Sequence, residues 1–306
     1  MNLAQLLAMQ PAGEVITVDV FADGPQGGNP APIVLNANTM NPSEMQAVAR
    51  KTGHECGFVK PAPAGSGQDF SLYFWVPNHE MEMCGHVTVG TVWLMAKLGI
   101  ITKNDVSIFT RSGVVNARIQ HDSAMDYFKV EITQPVGTIT DISGEEAFQP
   151  ELLNLLGITS HELANAPIIN ASTSRIKTLI PLKDSHTLHN LQPNLANISD
   201  FCQRIGSTGL YPYASDEDLP NTFYARQFPK SSGYPEDAAT GIAATALAFG
   251  LRYSGQVDSQ TEHVTIKQGQ AIGRPSKIEV TFRFNAWGEV EGCWLGGDVR
   301  FTMEHH

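Results

Sequence analysis

Three side chains of this sequence have the chemistry needed to move a proton on a small acid: Glu55, His86 and Asp237. Glu55 lies between Gly53, a residue suited to end a helix, and an apolar run that is typical of a strand. A carboxylate in a partly apolar site has its pKa raised towards neutrality, so Glu55 could serve as base and then as acid. The alternative interpretation is a solvent-exposed loop glutamate.

His86 and Asp237 lie where two uncharged helices of small and aliphatic residues are expected to begin. Helices that are apolar all round must be buried, and their N-termini carry backbone N–H groups and partial positive charge. Two such ends facing one another would form a site for a small acid. His86 could instead be a structural histidine bound to a backbone carbonyl, and Asp237 a helix cap.

The elements that position these side chains repeat in two halves of the chain. In each half, strands precede a loop and a buried helix, and further strands follow. Before Glu55, a cap at Asn41, Pro42 in the first turn and Glu44 as capping-box partner predict a helix that ends at Gly53. In the second half, the run 222–228 is predicted as one strand.

An all-apolar helix enclosed by strands implies a mixed sheet curled around it. We therefore predict an α/β (α+β) fold of two pseudo-symmetric domains, each a mixed curled β-sheet around a central buried helix, with a cleft between them. The N-terminal domain, 1–133, carries Glu55 and His86. The C-terminal domain, 134–306, carries Asp237, and its last strand can return to the first domain.

Composition narrows the function classes. The net charge of −11, with 42% hydrophobic and 17% charged residues, fits a compact protein and argues against nucleic-acid binding. The four cysteines lack a scaffold-like spacing and are expected to be free thiols in a reducing compartment. No apolar run reaches transmembrane length and the N-terminus lacks secretory features, so we predict a cytoplasmic protein without membrane contact. The closing Glu304–His306 resembles a purification-tag remnant.

The segment 79–86 resembles a metal cluster only superficially. On a strand, Glu80, Glu82, Cys84 and His86 would share one face. No second ligand pair follows at a structural-zinc spacing, and no His-Glu-x-x-His helix is present. The glycine-rich segment 24–30 also lacks the P-loop and dinucleotide fingerprints. We therefore predict neither a metal nor a cofactor.

Eight short segments together carry a family resemblance, in order along nearly the whole chain. They are Val18–Phe21, Gly27–Ala31, Glu55–Val59, Cys84–Thr88, Ala225–Phe228, Glu236–Ala243, Gln268–Gly269 and Gly296–Gly297. The chain resembles the PhzF-like isomerase family of phenazine biosynthesis, which shares its fold with diaminopimelate epimerase and proline racemase. The resemblance implies a homodimer and cofactor-free proton transfer. It also implies that Glu55 takes a proton from one substrate carbon and returns it to another, while His86 and Asp237 bind and orient the substrate.

The sequence departs from the family pattern at the second loop. That loop commonly reads Glu-Asp-Pro-Val-Thr-Gly-Ser-Ala, whereas this chain has Ala238, Ala239 and Ile242 in place of proline, valine and serine. Without the serine hydroxyl the pocket is expected to be more apolar, which argues against the phenazine precursor as substrate. The related racemases use two cysteines, but here only the first loop carries a thiol, Cys84.

The predicted function is a cofactor-independent isomerase acting on a small carboxylate-bearing metabolite. Its predicted catalytic residues are Glu55, His86 and Asp237. Its predicted substrate-binding residues, with backbone N–H groups holding the carboxylate, are Asn29, Gly85, Thr240, Gly241 and Ile242. Two alternatives remain: an amino-acid racemase or epimerase that uses Glu55 with Cys84, and a non-catalytic small-acid binding protein.

Overall fold

The computed structural model describes residues 3–142 and 148–302; the closing segment Glu304–His306 lies outside them. The chain divides into two compact units. The first contains Met1–Ala22, Gly28–Thr133 and Gly296–His306, and the second contains Asp23–Gly27 and Gln134–Leu295. Among the described residues, no helix has the length and apolar character required to cross a membrane.

In the first unit, helices alternate with groups of strands along the chain. Its helices are α1 (Leu3–Ala8), α2 (Pro42–Thr52) and α3 (Gly85–Lys97). Its strands are β1 (Ile16–Val20), β2 (Asn29–Val34), β3 (Cys56–Pro61), β4 (Phe70–Trp75), β5 (Glu80–Met81), β6 (Asp105–Thr110), β7 (Gly113–Asp122), β8 (Tyr127–Gln134) and, at the end of the chain, β18 (Val299–Phe301).

The second unit also alternates helices and strands. Its helices are α4 (Gln149–Leu156), α5 (Ser185–His189), α6 (Leu195–Arg204) and α7 (Gly241–Tyr253). Its strands are β9 (Thr138–Asp141), β10 (Ile169–Ser172), β11 (Lys177–Pro181), β12 (Gly209–Ser215), β13 (Thr222–Ala225), β14 (Phe228–Pro229), β15 (His263–Gln268), β16 (Ser276–Phe284) and β17 (Val290–Gly296).

The first unit contains a mixed sheet around α3. β1 is antiparallel to β2 and β18, β2 is parallel to β3, and β4 is parallel to β6. The pairs β3–β4, β6–β7 and β7–β8 are antiparallel. Every residue of α3 from Gly85 to Ala96 is buried, and the helix packs against β1, β2 and β3. The sequence contains no charge over this stretch because no face of the helix meets water.

The second unit repeats this plan around α7. The pairs β11–β12 and β13–β15 are parallel, whereas β9–β10, β10–β11, β12–β13 and β15–β16 are antiparallel. α7 is buried from Gly241 to Leu251 and packs against β9, β10, β11 and β16. The predicted fold, a mixed sheet around a buried helix in each half, is confirmed.

Each central helix approaches its sheet closely through one glycine. A Cβ atom on Gly90 of α3 would lie 2.8 Å from Cγ2 of Val20, and one on Gly250 of α7 would lie 2.5 Å from Cδ1 of Leu179. Both distances are shorter than van der Waals contact between carbon atoms. The two glycines therefore set how near each helix lies to its strands.

The run 222–228 is not the single strand that the sequence predicted. β13 ends at Ala225, and β14 begins at Phe228. Between them, the Arg226 amide donates to the carbonyl of Pro212 (3.0 Å), and Gln227 forms an isolated bridge with Asp237. The Arg226 side chain in this interruption forms a buried ion pair with Glu236.

Candidate active site

Glu55 is positioned by rigid elements on both sides. The predicted capping box is present: the Glu44 amide donates to Asn41 Oδ1 (3.1 Å) and the Asn41 amide donates to Glu44 Oε2 (2.8 Å). α2 ends at Gly53, whose φ of 72° is the left-handed conformation that favours glycine. β3 begins one residue after Glu55. The Glu55 side chain is only 13% exposed, so it is not a solvent-exposed loop glutamate.

Cys84 and His86 are placed by the start of α3. Cys84 occupies the N-cap position with extended backbone angles, and His86 is the second residue of the helix. The Thr88 hydroxyl and amide both donate to the Cys84 carbonyl, at 2.7 and 3.1 Å. The His86 side chain is 4% exposed. These hydrogen bonds hold the Cys84 backbone at the start of α3 and so position the Cys84 and His86 side chains.

Glu55, Cys84 and His86 form one compact cluster, which we call the Glu–Cys–His cluster. Cys84 Sγ lies 3.7 Å from Glu55 Oε2 and 3.4 Å from His86 Nδ1. His86 Nδ1 lies 3.5 Å from the same Glu55 oxygen. The thiol donates towards the carboxylate, and a proton on Nδ1 would do the same. The cluster therefore places two possible hydrogen-bond donors next to one Glu55 oxygen.

The wider metal cluster that a strand over 80–86 would create is not formed. The strand ends at Met81, and Cys84 and His86 belong to the helix that follows. Glu80 forms a salt bridge with Arg111, and Glu82 is exposed. Of the four residues, only Cys84 and His86 come together with Glu55.

Asp237 lies in the second unit, three residues before the N-cap of α7. That N-cap is Thr240, and its hydroxyl donates to Asp237 Oδ2 at 2.6 Å. The Asp237 amide donates to the Gln227 carbonyl (3.1 Å), and the residue is 8% exposed. The carboxylate is thus held by the loop that precedes the central helix.

Gln268, the last residue of β15, holds this loop in place. Its amide Nε2 donates to the Asp237 carbonyl (2.8 Å) and to Thr240 Oγ1 (3.1 Å). Its Oε1 accepts from the Tyr211 hydroxyl (2.8 Å) and from the Thr240 amide (3.3 Å). Burial, together with the Asp237 carboxylate, raises the pKa of Tyr211 well above its ordinary value, so Tyr211 stays a donor.

A buried ion pair fixes the other side of the Asp237 loop. Arg226 binds Glu236 in a bidentate arrangement, Nε to Oε1 at 2.9 Å and Nη2 to Oε2 at 2.7 Å. Its Nη1 donates to the carbonyls of Leu188 (3.2 Å) and Leu191 (3.0 Å). Sequence reasoning gave Arg226 no role. The available signal was that Arg226, ten residues before Glu236, is the single charged residue of the run 222–228.

The remaining predicted binding residues lie at the starts of elements. Asn29 is the first residue of β2, pairs with Val20 and is 7% exposed. Gly85 begins α3, and Gly241 and Ile242 begin α7. Glu55, Cys84, His86, Gly85 and Asn29 therefore belong to the first unit, where Glu55, Cys84 and His86 lie close together. Asp237, Thr240, Gly241 and Ile242 belong to the second, along the loop and first turn of α7.

Comparisons with known proteins identify the family of this chain. A family model described as phenazine biosynthesis-like protein, PhzC-PhzF, matches residues 18–293. The trans-2,3-dihydro-3-hydroxyanthranilate isomerase of Pseudomonas fluorescens is 30% identical over 264 residues, which is 85% of this chain and 87% of that protein. An uncharacterized isomerase of Clostridium acetobutylicum is 30% identical over 282 residues, covering 90% of this chain and 91% of its own.

The fold has a close counterpart among solved structures. The crystal structure of the Bacillus anthracis phenazine biosynthesis protein of the PhzF family superimposes with a TM-score of 0.82 at 23% sequence identity. The match covers 94% of this chain and 96% of that one. At that identity the likeness is one of fold.

Proposed function

Because the chain belongs to the phenazine biosynthesis-like (PhzC-PhzF) family, we propose that it moves a proton between two carbon atoms of a small carboxylate-bearing metabolite, without a cofactor and with Glu55 as general acid and base. Family membership confirms the resemblance and the isomerase class predicted from the sequence. The observation that carries the proposal is the Glu55 carboxylate, 13% exposed and 3.5 Å from His86 Nδ1.

The proposed step needs no oxidant, reductant or metal. Glu55 removes a proton from a substrate carbon, and the electron pair left behind moves into the adjoining conjugated system. Glu55 then returns the proton to a second carbon, so that one C–H bond breaks, another forms and a double bond shifts. A single carboxyl group performs both transfers when its pKa lies near the working pH.

His86 and Asp237 are proposed to bind and orient the substrate. His86 Nδ1 lies 3.5 Å from Glu55 Oε2. Asp237 accepts one hydrogen bond from the Thr240 hydroxyl and one from the Gln268 side-chain amide. The Thr240 amide already donates to Gln268. We therefore propose the amides of Gly85 and Gly241, each at the N-terminus of a buried helix, as donors to carboxylate oxygen in place of the Thr240 amide.

Asn29 and Ile242 complete the proposed binding set. Asn29, at the start of β2, contributes a side-chain amide that can donate to and accept from a substrate. Ile242, 8% exposed at the start of α7, contributes only apolar surface. This favours a substrate with an apolar part next to its carboxylate.

The separation of Cys84 and Glu55 argues against the two-base racemase. Inversion at one carbon needs a base on one face and an acid on the other, each about 3–3.5 Å from that carbon, and so about 6–7 Å apart. Cys84 Sγ lies 3.7 Å from Glu55 Oε2, which leaves no space for a substrate carbon between them. We expect Cys84→Ala to retain isomerisation; complete loss of turnover would restore the racemase alternative.

The decisive experiment follows protons on candidate substrates. Small unsaturated carboxylic acids are incubated with the protein in deuterium oxide, and carbon-bound deuterium and isomerised product are measured by NMR. The wild-type protein should form product from at least one acid. Glu55→Gln should slow this by at least about 100-fold, the lower limit for loss of a general acid or base.

Glu82→Gln is the matched control, because Glu82 is an exposed carboxylate close to Cys84 in sequence. It should leave the rate unchanged. Turnover by Glu55→Gln at the wild-type rate would remove Glu55 from its proposed role. A tightly bound acid that gives neither product nor exchange with the wild-type protein would instead support the non-catalytic binding protein.

The homodimer, the cytoplasmic location and the absence of a cofactor stay predictions. Sedimentation velocity tests the first, since a dimer has twice the chain mass of 33.2 kDa. Dialysis against a chelator tests whether a metal cofactor is needed, and activity should survive it.

A further inference from the structure

The Glu–Cys–His cluster has the dimensions of one face of a zinc tetrahedron. With Zn–S near 2.3 Å and Zn–N and Zn–O near 2.0–2.1 Å, tetrahedral geometry places sulfur about 3.5 Å from either lighter atom and nitrogen about 3.3 Å from oxygen. The three observed separations are 3.7 Å for Sγ to Oε2, 3.4 Å for Sγ to Nδ1 and 3.5 Å for Nδ1 to Oε2. Each lies within about 0.2 Å of the separation expected for tetrahedral ligands.

We propose that Cys84 Sγ, His86 Nδ1 and Glu55 Oε2 together bind a thiophilic divalent cation such as Zn²⁺, and that the bound ion inhibits the protein. Binding releases the thiol proton to solvent and leaves a thiolate ligand. Three protein ligands leave the fourth tetrahedral position for water or for a substrate carboxylate. The donor set of sulfur, imidazole and one carboxylate disfavours Mg²⁺ and Ca²⁺, which prefer oxygen ligands.

The ligands are held in place before any ion arrives. Cys84 and His86 share the first turn of α3, and Thr88 fixes the Cys84 carbonyl with two hydrogen bonds. Glu55 is fixed between the end of α2 and the start of β3. Two of the three side chains are nearly fully buried, which shields the ligands from competing water. Binding therefore needs little rearrangement of the backbone.

Inhibition follows from the identity of one ligand. A Glu55 oxygen that coordinates a metal cannot accept a proton from carbon, so the ion blocks the proposed proton transfer. This consequence rests on the proposed function, whereas metal binding itself does not. Metal binding is therefore measured by an optical signal of the ion, and inhibition is measured separately by turnover.

Co²⁺ serves as the optical probe, because a thiolate–cobalt bond gives an intense charge-transfer absorption that nitrogen and oxygen ligands do not give. The two C-terminal histidines of the chain can bind Co²⁺ without producing this band. The wild-type protein should show the band with one Co²⁺ per chain, and Zn²⁺ should displace it. Zn²⁺ should also stop turnover, and a chelator should restore it.

Three variants test the ligand assignment. Cys84→Ala should abolish the band, and His86→Asn should weaken Co²⁺ binding at least about 100-fold, the upper limit for loss of an outer-shell residue. Cys202→Ala should retain the band, since Cys202 is a buried thiol of the second unit, outside the cluster. Circular dichroism verifies that each variant is folded, and Cys84→Ser replaces Cys84→Ala if the alanine variant is not.

Absence of the band in the wild-type protein at saturating Co²⁺, or its persistence in folded Cys84→Ala or Cys84→Ser, overturns the proposal. A band that forms normally in a protein without turnover on any acid refutes the isomerase proposal and leaves the metal site standing. Turnover that continues with the site fully occupied refutes inhibition.

Discussion

Gln268→Leu is expected to destabilise the second unit by about 2–6 kcal/mol, because it removes the hydrogen-bond partners of two buried groups at about 1–3 kcal/mol each. The groups are the Tyr211 hydroxyl and the Asp237 carbonyl, both 2.8 Å from the Gln268 amide. The Thr240 amide also loses its acceptor, but Thr240 is partly exposed and can bind water instead. Leucine nearly matches glutamine in volume, so a cavity adds little.

Urea unfolding followed by circular dichroism measures this change. Gln260→Leu is the matched control, because Gln260 is exposed in the same unit and its substitution should stay within about 0.5 kcal/mol. Tyr211→Phe alone should cost about 1 kcal/mol, since Gln268 keeps its other partners. In Tyr211→Phe/Gln268→Leu the phenylalanine needs no acceptor, so the double variant should cost less than the sum of the singles.

A decrease in the free energy of unfolding below about 1 kcal/mol for Gln268→Leu would refute this reasoning, because a buried hydroxyl and a buried carbonyl without partners should together destabilise the protein by more than that. Strict additivity in the double variant would likewise show that Tyr211 and Gln268 do not stabilise one another. Either result would mean that the Asp237 loop is held by its own bonds to Thr240 and Gln227.

Three further predictions concern stability. Glu236→Gln leaves the buried Arg226 without its counter-charge, so the free energy of unfolding in urea should fall by an amount near the lower end of about 3–5 kcal/mol. A negligible fall would show that water replaces the carboxylate. Gly90→Ala presses a methyl group against Val20 and should cost about 1–3 kcal/mol, seen as a lowered Tm; an unchanged Tm would show that the helix can move away. Burial raises the pKa of the Cys293 thiol from 9.0 to about 12. The unfolded chain therefore loses this proton first as the pH rises above 9.0, and the free energy of unfolding should fall by up to about 1.4 kcal/mol per pH unit more than in Cys293→Ala. Equal slopes for the two proteins would contradict the raised pKa.

The parts of the fold that the sequence predicted depend on local signals. The helix before Glu55 was specified by residues within four positions of its N-terminus and by one glycine at its end, and the structure forms both caps. The two buried helices were specified by composition alone, since an uncharged run of this length cannot face water. Both kinds of signal can be read without knowing any distant contact.

The features that the sequence did not predict depend on distant partners. α4 and α6 pack on one cluster of the second unit, which includes Leu152, Ile198 and Phe201, and no local pattern indicates that cluster. Gln268 lies 57 residues from Tyr211 and 28 from Thr240 in sequence, so its role as the centre of a network is visible only after folding. Its presence in a family motif indicated importance without indicating a reason.

The two loops differ in what remains available for chemistry. In the first, the side chains at the start of α3 turn towards a carboxylate from another segment, and Glu55, Cys84 and His86 lie within hydrogen-bond range of one another. In the second, Asp237 is bound by the hydroxyl of its own loop, and that loop is tied by Gln268. A proton carrier must change protonation state during turnover, whereas a positioning group must not. We therefore expect the first loop to serve proton transfer and the second to serve orientation, as the proposed one-base isomerisation requires.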